Sequence, residues 1–365
     1  MSGLDIVILG LSITSSWGNG HATTYRALTR GLARRGHRVL FLERDMPWYA
    51  AERDLPAPPA CPTRLYDGLE QLADEHAGAV AEADLVIVGS CVPDGTAVGD
   101  WVLETAGGVR AFYDIDTPVT LAALARGDCQ YLGARQIGGY DLFLSFTGGP
   151  LLERLERVHG ARLARPLYCC VDAEGYRPAD GDGSTRYDLG YMGTYSPDRQ
   201  PKLERLLLAP ARAWADGAFI VAGPLYPDDI AWPHNVARTD HIGPADHPAF
   251  YASQRWTLNL TRADMAAVGW APSVRLFEAA ACATPIISDP WPGLDTLFTP
   301  EEEILIAADG DDVLSALRGL SEARRRRIGA AARERVLAAH TAEHRARELE
   351  RHLDDALRRR RRRSA

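Results

Sequence analysis

His21 lies in Trp17-Gly18-Asn19-Gly20-His21-Ala22-Thr23-Thr24, where a short apolar run gives way to an amphipathic one. Imidazole is the side chain best suited to take a proton from a hydroxyl near neutral pH, so His21 reads as a general base or as a residue that caps a helix or positions a ligand. The two glycines permit a tight turn and close approach of a ligand, and a helix start favours an anionic or hydroxyl-rich group. The spacing falls short of the GxGxxG dinucleotide fingerprint. Two carboxylates, Asp114 and Asp116, follow another apolar run in Tyr113-Asp114-Ile115-Asp116-Thr117-Pro118. An Asp-x-Asp pair can ligate a metal carrying a diphosphate, but strand alternation sends the two side chains to opposite faces. One aspartate is therefore read as the partner of His21 or of an acceptor, and no metal site is expected.

Glu43-Arg44-Asp45-Met46-Pro47-Trp48-Tyr49 combines charge with aromatics. Rings stack on the apolar faces of sugars and carboxylates accept hydrogen bonds from hydroxyls, so the stretch suits an acceptor; an ordinary loop packed by its own aromatics fits equally. Trp17, Asn19, Asp45 and Trp48 are the acceptor-binding candidates. The second half holds the denser constellation. Gly193-Thr194-Tyr195-Ser196-Pro197-Asp198-Arg199 follows an apolar run and opens a helix, so Gly193, Tyr195, Ser196 and Arg199 can meet a phosphate. Arg262 follows the run Trp256 to Leu260, and Ser273 and Arg275 mark the start of another helix, with Glu278 one turn on. Three arginines could neutralise a diphosphate, and Glu278 could accept from both hydroxyls of a ribose.

Positioning these residues requires a repeated α/β pattern. Leu4 to Leu9, Arg38 to Leu42, Leu85 to Val88, Arg110 to Tyr113 and Leu142 to Ser145 read as buried parallel strands with helices such as Thr23 to Arg35 between them. Tyr187 to Met192, Ala218 to Ala222, Trp256 to Leu260, Pro285 to Ser288 and Ile304 to Ala307 repeat the pattern. The expected partition is a Rossmann-like domain over 1–171, a linker over 172–184, a second Rossmann-like domain over 185–342, a closing helix over 343–357 and a basic tail over 358–365. Asp180-Gly181-Asp182-Gly183 superficially resembles a calcium loop, but Tyr191 stands where the twelfth-position glutamate belongs.

The 365 residues are 46% apolar with a net charge of -8, enough for two cores and incompatible with wholesale disorder. From Arg318 to Arg363 there are 16 arginines against 7 acids, a balance of +9 that leaves -17 on the rest. So acidic a body is a poor general nucleic-acid binder, and Arg358 to Arg363 reads as a solvated, frayed end. Lys202 is the only lysine beside 40 arginines, a bias read as compositional. Six scattered cysteines without metal spacing, no basic leader at the start and no apolar stretch of membrane-spanning length give the expectation of a cytoplasmic protein.

The Glu278-Ala279-Ala280-Ala281-Cys282-Ala283-Thr284-Pro285 segment resembles the donor site of GT-B glycosyltransferases. The runs from Gly18, Glu43, Phe112, Tyr191 and Ser273 resemble, in that order, the CgeB-type, spore-maturation-protein-like branch of the group, from Ile6 to about Ala308. The resemblance implies two Rossmann-like domains facing across a cleft, with a nucleotide sugar held mainly by the second, an acceptor mainly by the first, and no obligatory metal or other cofactor. It matches Glu278 to the ribose ligand, and Arg199 and Arg262 to donor-phosphate positions. Two departures stand out: Trp270 occupies the place of the first glutamate of the common retaining pattern, and Thr194 that of a phosphate-binding arginine, a role Arg275 could take. The separation of His21 from Asp114 or Asp116 is similar to that of the His/Asp dyad of inverting enzymes.

The expected activity is transfer of a sugar from a nucleotide diphosphate, UDP favoured, to a hydroxyl of a small-molecule or glycan acceptor. His21 would act as base, Asp116 or Asp114 as its orienting group, and Arg199, Arg262 and Arg275 as stabilisers of the leaving diphosphate. A nucleotide-sugar epimerase or hydrolase of the same fold, and a non-catalytic sugar-binding assembly protein, are the alternatives.

Overall fold

Runs of apolar residues too short for helices become parallel strands buried on both faces. In the computed structural model, which describes residues 3–179 and 185–364, five such runs and two short marginal strands form one sheet. They are β1 (Asp5–Gly10), β2 (Arg38–Arg44), β3 (Thr63–Tyr66), β4 (Leu85–Gly89), β5 (Val109–Asp114), β6 (Leu142–Ser145) and β7 (Ala164–Pro166). Their order is β3-β2-β1-β4-β5-β6-β7, with every neighbouring pair parallel. Ile8, Leu9 and all of Leu85 to Val88 are fully buried in this sheet.

The second sheet contains β8 (Tyr187–Met192), β9 (Phe219–Ala222), β10 (Val236–Thr239), β11 (Gln254–Asn259), β12 (Ile286–Ser288) and β13 (Leu305–Ile306). The order β10-β9-β8-β11-β12-β13 is again wholly parallel. Leu189, Phe219, Trp256, Leu258, Ile287 and Ile328 pack its core. In each sheet the strand order reverses beside the first strand, between β1 and β4 and between β8 and β11. Such a switch point, at the carboxyl ends of the strands, is where open α/β sheets bind ligands.

The chain divides into two units: the stretch up to Cys169 with everything from Ala342 on, and Cys170–Thr341. The helix-forming stretch from Ser321 is two helices, Glu322–Ala339 and Ala342–Ser364, broken where Thr341 bridges to Val171. The last helix belongs to the first unit and lies on its first helix, His21–Arg34. Gly31 makes the contact possible, since a Cβ there would sit 2.4 Å from the carbonyl oxygen of Ala342. Glu350 anchors the contact, 2.6 Å from Arg35 Nε and 2.8 Å from His37 Nε2.

The run expected to fray is helical through Ser364. Arg359 donates to the Arg162 carbonyl and Arg360 to those of Gly107 and Gly108, so backbone acceptors take part of the charge. Of the linker expected over 172–184, residues 180–184, with the calcium-like motif, lie outside the described residues. No helix among the described residues is long and apolar enough to cross a membrane.

Candidate functional site

In the first unit the loop after β1 is built on a buried carboxylate. Glu43, at the end of β2 and fully buried, accepts from the amides of Ile13 (2.7 Å) and Thr14 (3.0 Å) and from the hydroxyls of Ser12 (3.0 Å) and Thr14 (2.6 Å). Arg26 closes the loop from the other side through Ile13 O (2.8 Å) and a two-pronged pair with Asp54 (2.7 and 3.0 Å). Glu43 is thus scaffold, a correction to its reading as part of a sugar-facing loop. Asp45 is paired with Arg53 at 2.5 Å. Asn19 is used internally as well: its Nδ2 donates to the carbonyls of Ser15 and Trp17, both at 3.2 Å, and its Oδ1 accepts from the Ala22 amide at 3.1 Å. Of the acceptor candidates, Trp48 is 53% exposed and Trp17 half-buried, so the two indoles are the ones offered outward.

His21 begins the first helix, with Gly18 before it in the left-handed region at φ 67°. Its imidazole is buried and Nδ1 has no hydrogen-bond partner among the described residues. Burial pushes the ring down to about 4, against the pull of the Asp116 charge, so it is neutral at physiological pH. Asp114 ends β5 fully buried: Oδ1 accepts from Thr120 Oγ1 (2.9 Å) and the Asp116 amide (3.2 Å), while Oδ2 has no hydrogen-bond partner among the described residues. Burial pushes this carboxyl up to about 7. The structure therefore brings His21 and the two aspartates into one neighbourhood, with the Asp116 charge acting on the ring and Asp114 held beside it.

In the second unit the expected donor residues converge on the switch point. Arg275, 7% exposed, donates from Nε to Met192 O at 2.6 Å and from Nη1 to Asn259 Oδ1 at 3.0 Å, and its guanidinium lies 4.8 Å from the Tyr191 ring centre. Ser273 Oγ donates to the same Asn259 oxygen at 2.7 Å. A fork fixed at Nε and Nη1 leaves Nη2 beside Gly193, where an added Cβ would lie 2.9 Å from it and 2.5 Å from Tyr191 Oη. A Gly193→Ala side chain would therefore press on both groups and displace this fork.

Arg199 Nη2 donates to Thr194 O at 2.6 Å, while its buried Nε has no hydrogen-bond partner among the described residues. Ser196 Oγ donates to Asp198 Oδ1, and Asp198 Oδ2 accepts from the Ala263 amide at 2.9 Å, with Arg262 Nε at 3.9 Å. Tyr195 packs edge-on against Tyr226 at 5.5 Å, and Tyr226 Oη donates to Gly193 O at 3.1 Å. Trp270, which stands in place of the absent glutamate, has φ 46°, and its ring fills the space where Gly293 would carry a Cβ, 2.5 Å away.

Glu278 is 2% exposed and accepts from Tyr176 Oη and Tyr251 Oη, each at 3.0 Å, with His247 Nδ1 at 3.6 Å. Burial alone would raise its carboxyl; His247, Tyr251 and Tyr176 outweigh that and hold it below the usual range. Tyr176, His247, Tyr251 and Asn259 have no motif that would have marked them. Lys202 did carry a signal, as the chain's only lysine. Its Nζ bonds buried Asp289 Oδ2 at 2.6 Å and Thr261 O at 2.7 Å, directly beneath Arg262 in sequence.

A family model described as Glycosyl transferase-like matches residues 199–351, less than half of the chain but most of the second unit. No curated protein matches the sequence. The sucrose-phosphate synthase (tll1590) from Thermosynechococcus elongatus superposes with a TM-score of 0.68 at 17% identity, over 95% of this chain and 98% of that one. Alr3699/HepE of Anabaena, solved with UDP-glucose, gives 0.70 at 12% identity over 96% and 100%. An alpha-glucosyltransferase, solved with UDP and DNA containing an HMU base, gives 0.72 at 12% identity over 97% and 100%. At these identities the likeness is one of fold: two parallel-sheet, Rossmann-like domains of the GT-B glycosyltransferase type.

Proposed function

We propose that the protein is a glycosyltransferase of the CgeB-type branch that moves a sugar from a UDP-linked donor to a hydroxyl of a small-molecule or glycan acceptor. The observation that carries this reading is the assembly of Gly193, Asn259, Ser273 and Arg275 at the switch point of the second sheet, with Glu278 one turn along the same helix. The start of the Val274–Ala281 helix carries its positive dipole end and has no side-chain cap, so a diphosphate there meets the helix terminus and a fixed guanidinium together. Arg199 and Arg262 add charge from the neighbouring loops. The family match over 199–351 and the UDP and UDP-glucose complexes of the structural relatives support the same donor class.

Side-chain cations take the place of a metal in this reading, so a chelator should leave turnover unchanged. A cytoplasmic setting belongs to the same proposal, supported by six free thiols. The test is thermal stabilisation by a panel of UDP-, TDP- and GDP-sugars, where a ligand at 100 times its Kd adds about 2.7 kcal/mol. Stabilisation by a UDP-sugar followed by transfer to an added acceptor is the expected result. UDP release or an epimeric product from the UDP-sugar alone would instead select the hydrolase or epimerase reading, and no stabilisation by any member would sink the proposal. With a donor in hand, Arg275→Ala should lower turnover roughly 10²-fold, the usual effect of removing one preorganised donor to a developing anion, and Arg275→Lys should not restore it, because a lysine cannot reproduce the planar fork.

A further inference from the structure

The polar cluster around Glu278 is more elaborate than burial of one carboxylate requires. It draws on three separate segments: Tyr176 closes the turn begun at Asp172, His247 and Tyr251 lie one turn apart on the His247–Ala252 helix, and Glu278 lies on the Val274–Ala281 helix. His247 Nε2 is 3.1 Å from the Ile242 carbonyl, which can only accept, so Nε2 carries a hydrogen. His247 Nδ1 is 2.9 Å from Tyr176 Oη, and that hydroxyl is 3.0 Å from Glu278 Oε1. Tyr176 has one hydrogen to give. Tyr176 gives it to Oε1 and Tyr251 donates to Oε2, with His247 Nδ1 as the further partner of the Tyr176 hydroxyl.

An ionised carboxylate accepts about four hydrogen bonds, and the two tyrosines take one on each oxygen. What remains is one acceptor site per oxygen, held in a fixed direction. A ligand with its anionic group at Ser273 and Arg275 places its next polar portion about one helical turn away, beside Glu278, and in a nucleoside diphosphate that portion is a vicinal diol. We infer that Tyr176, Tyr251 and His247 are positioning residues that aim the Glu278 carboxylate at the ribose diol of the bound nucleotide. The inference rests on the nucleotide-sugar reading above.

Titration calorimetry with UDP and with 2′,3′-dideoxyuridine diphosphate separates aim from mere support. The native protein should prefer UDP by at least about tenfold, the worth of hydrogen bonds to a charged group, and Glu278→Gln should remove most of that preference. Tyr176→Phe, Tyr251→Phe and His247→Gln should each reduce it by about threefold or more while the dideoxy affinity stays nearly constant. Tyrosine variants that weaken both nucleotides equally, or leave the preference intact, overturn the positioning role while Glu278→Gln still shows the ribose contact. A native protein that ignores the diol, or a Glu278→Gln variant that keeps the full preference, overturns the ribose reading and this inference with it. Should one tyrosine variant fail to fold, the other two variants read the same ratio.

Discussion

Replacing Lys202 by methionine is expected to lower the unfolding free energy by about 3 kcal/mol, because it strands a buried carboxylate rather than merely removing an attraction. Asp289 is almost completely buried, and its Oδ1 is occupied by the Thr261 amide and hydroxyl, both at 3.0 Å. Its Oδ2 depends on the Lys202 amine at 2.6 Å. Burial already pushes this carboxyl up, against Lys202 and Thr261 pulling it down, so without the amine the pull that remains comes from Thr261 alone. Urea unfolding of Lys202→Met, Asp289→Asn and the double variant measures the coupling. The double variant should recover much of the loss of Lys202→Met, since neither charge is then left unpaired. Full additivity of the two single effects would show that the ion pair does not hold Asp289.

The central strands of both sheets are legible in the sequence because residues buried on both faces leave continuous apolar runs, such as Leu85 to Val88 and Leu142 to Ser145. The strands that escape are the short ones toward the sheet margins. β3, β7 and β10 are three or four residues long and only one residue of each is buried, so no apolar run or alternation betrays them. The path of the last helix is equally hidden. Sequence pattern marks a charged helix after Ser321, but that the helix from Ala342 lies on His21–Arg34 depends on Gly31 and Glu350, two residues with no distinguishing local context.

The same division applies to the site. Gly193, Ser273 and Arg275 are legible as residues that follow a strand or open a helix, and the sheet order brings those loops to one switch point. What a single sequence does not disclose is which polar groups are consumed internally. Glu43 and Asp45 stand two residues apart and share a chemistry, yet Glu43 holds up the neighbouring loop from within β2 and Asp45 pairs with Arg53. Lys202 shows the converse: rarity in an arginine-rich chain has a compositional cause available, and only the 2.6 Å contact with Asp289 gives it a structural one.

Between pH 4.5 and 6, the stability of His21→Gln and of Asp114→Asn should change in opposite directions, each by about 1.4 kcal/mol per pH unit, while the native protein gets almost no slope from these two sites. His21 drops from the ordinary 6.5 to about 4 on folding, and Asp114 rises from 3.8 to about 7. Across that interval the unfolded chain therefore holds the histidine proton and the folded chain holds the aspartate proton. The two states bind equal numbers, and the slopes cancel. Without His21 the folded state holds one proton more than the unfolded, so stability falls as pH rises. Without Asp114 the unfolded state holds one more, and stability rises with pH. Any packing loss from the substitution shifts the whole curve and leaves its slope alone, so urea midpoints at a few pH values suffice. Parallel curves for all three proteins would show that the two groups titrate as they do in the unfolded chain, and the case for a neutral, buried His21 beside a half-protonated Asp114 at physiological pH would be lost.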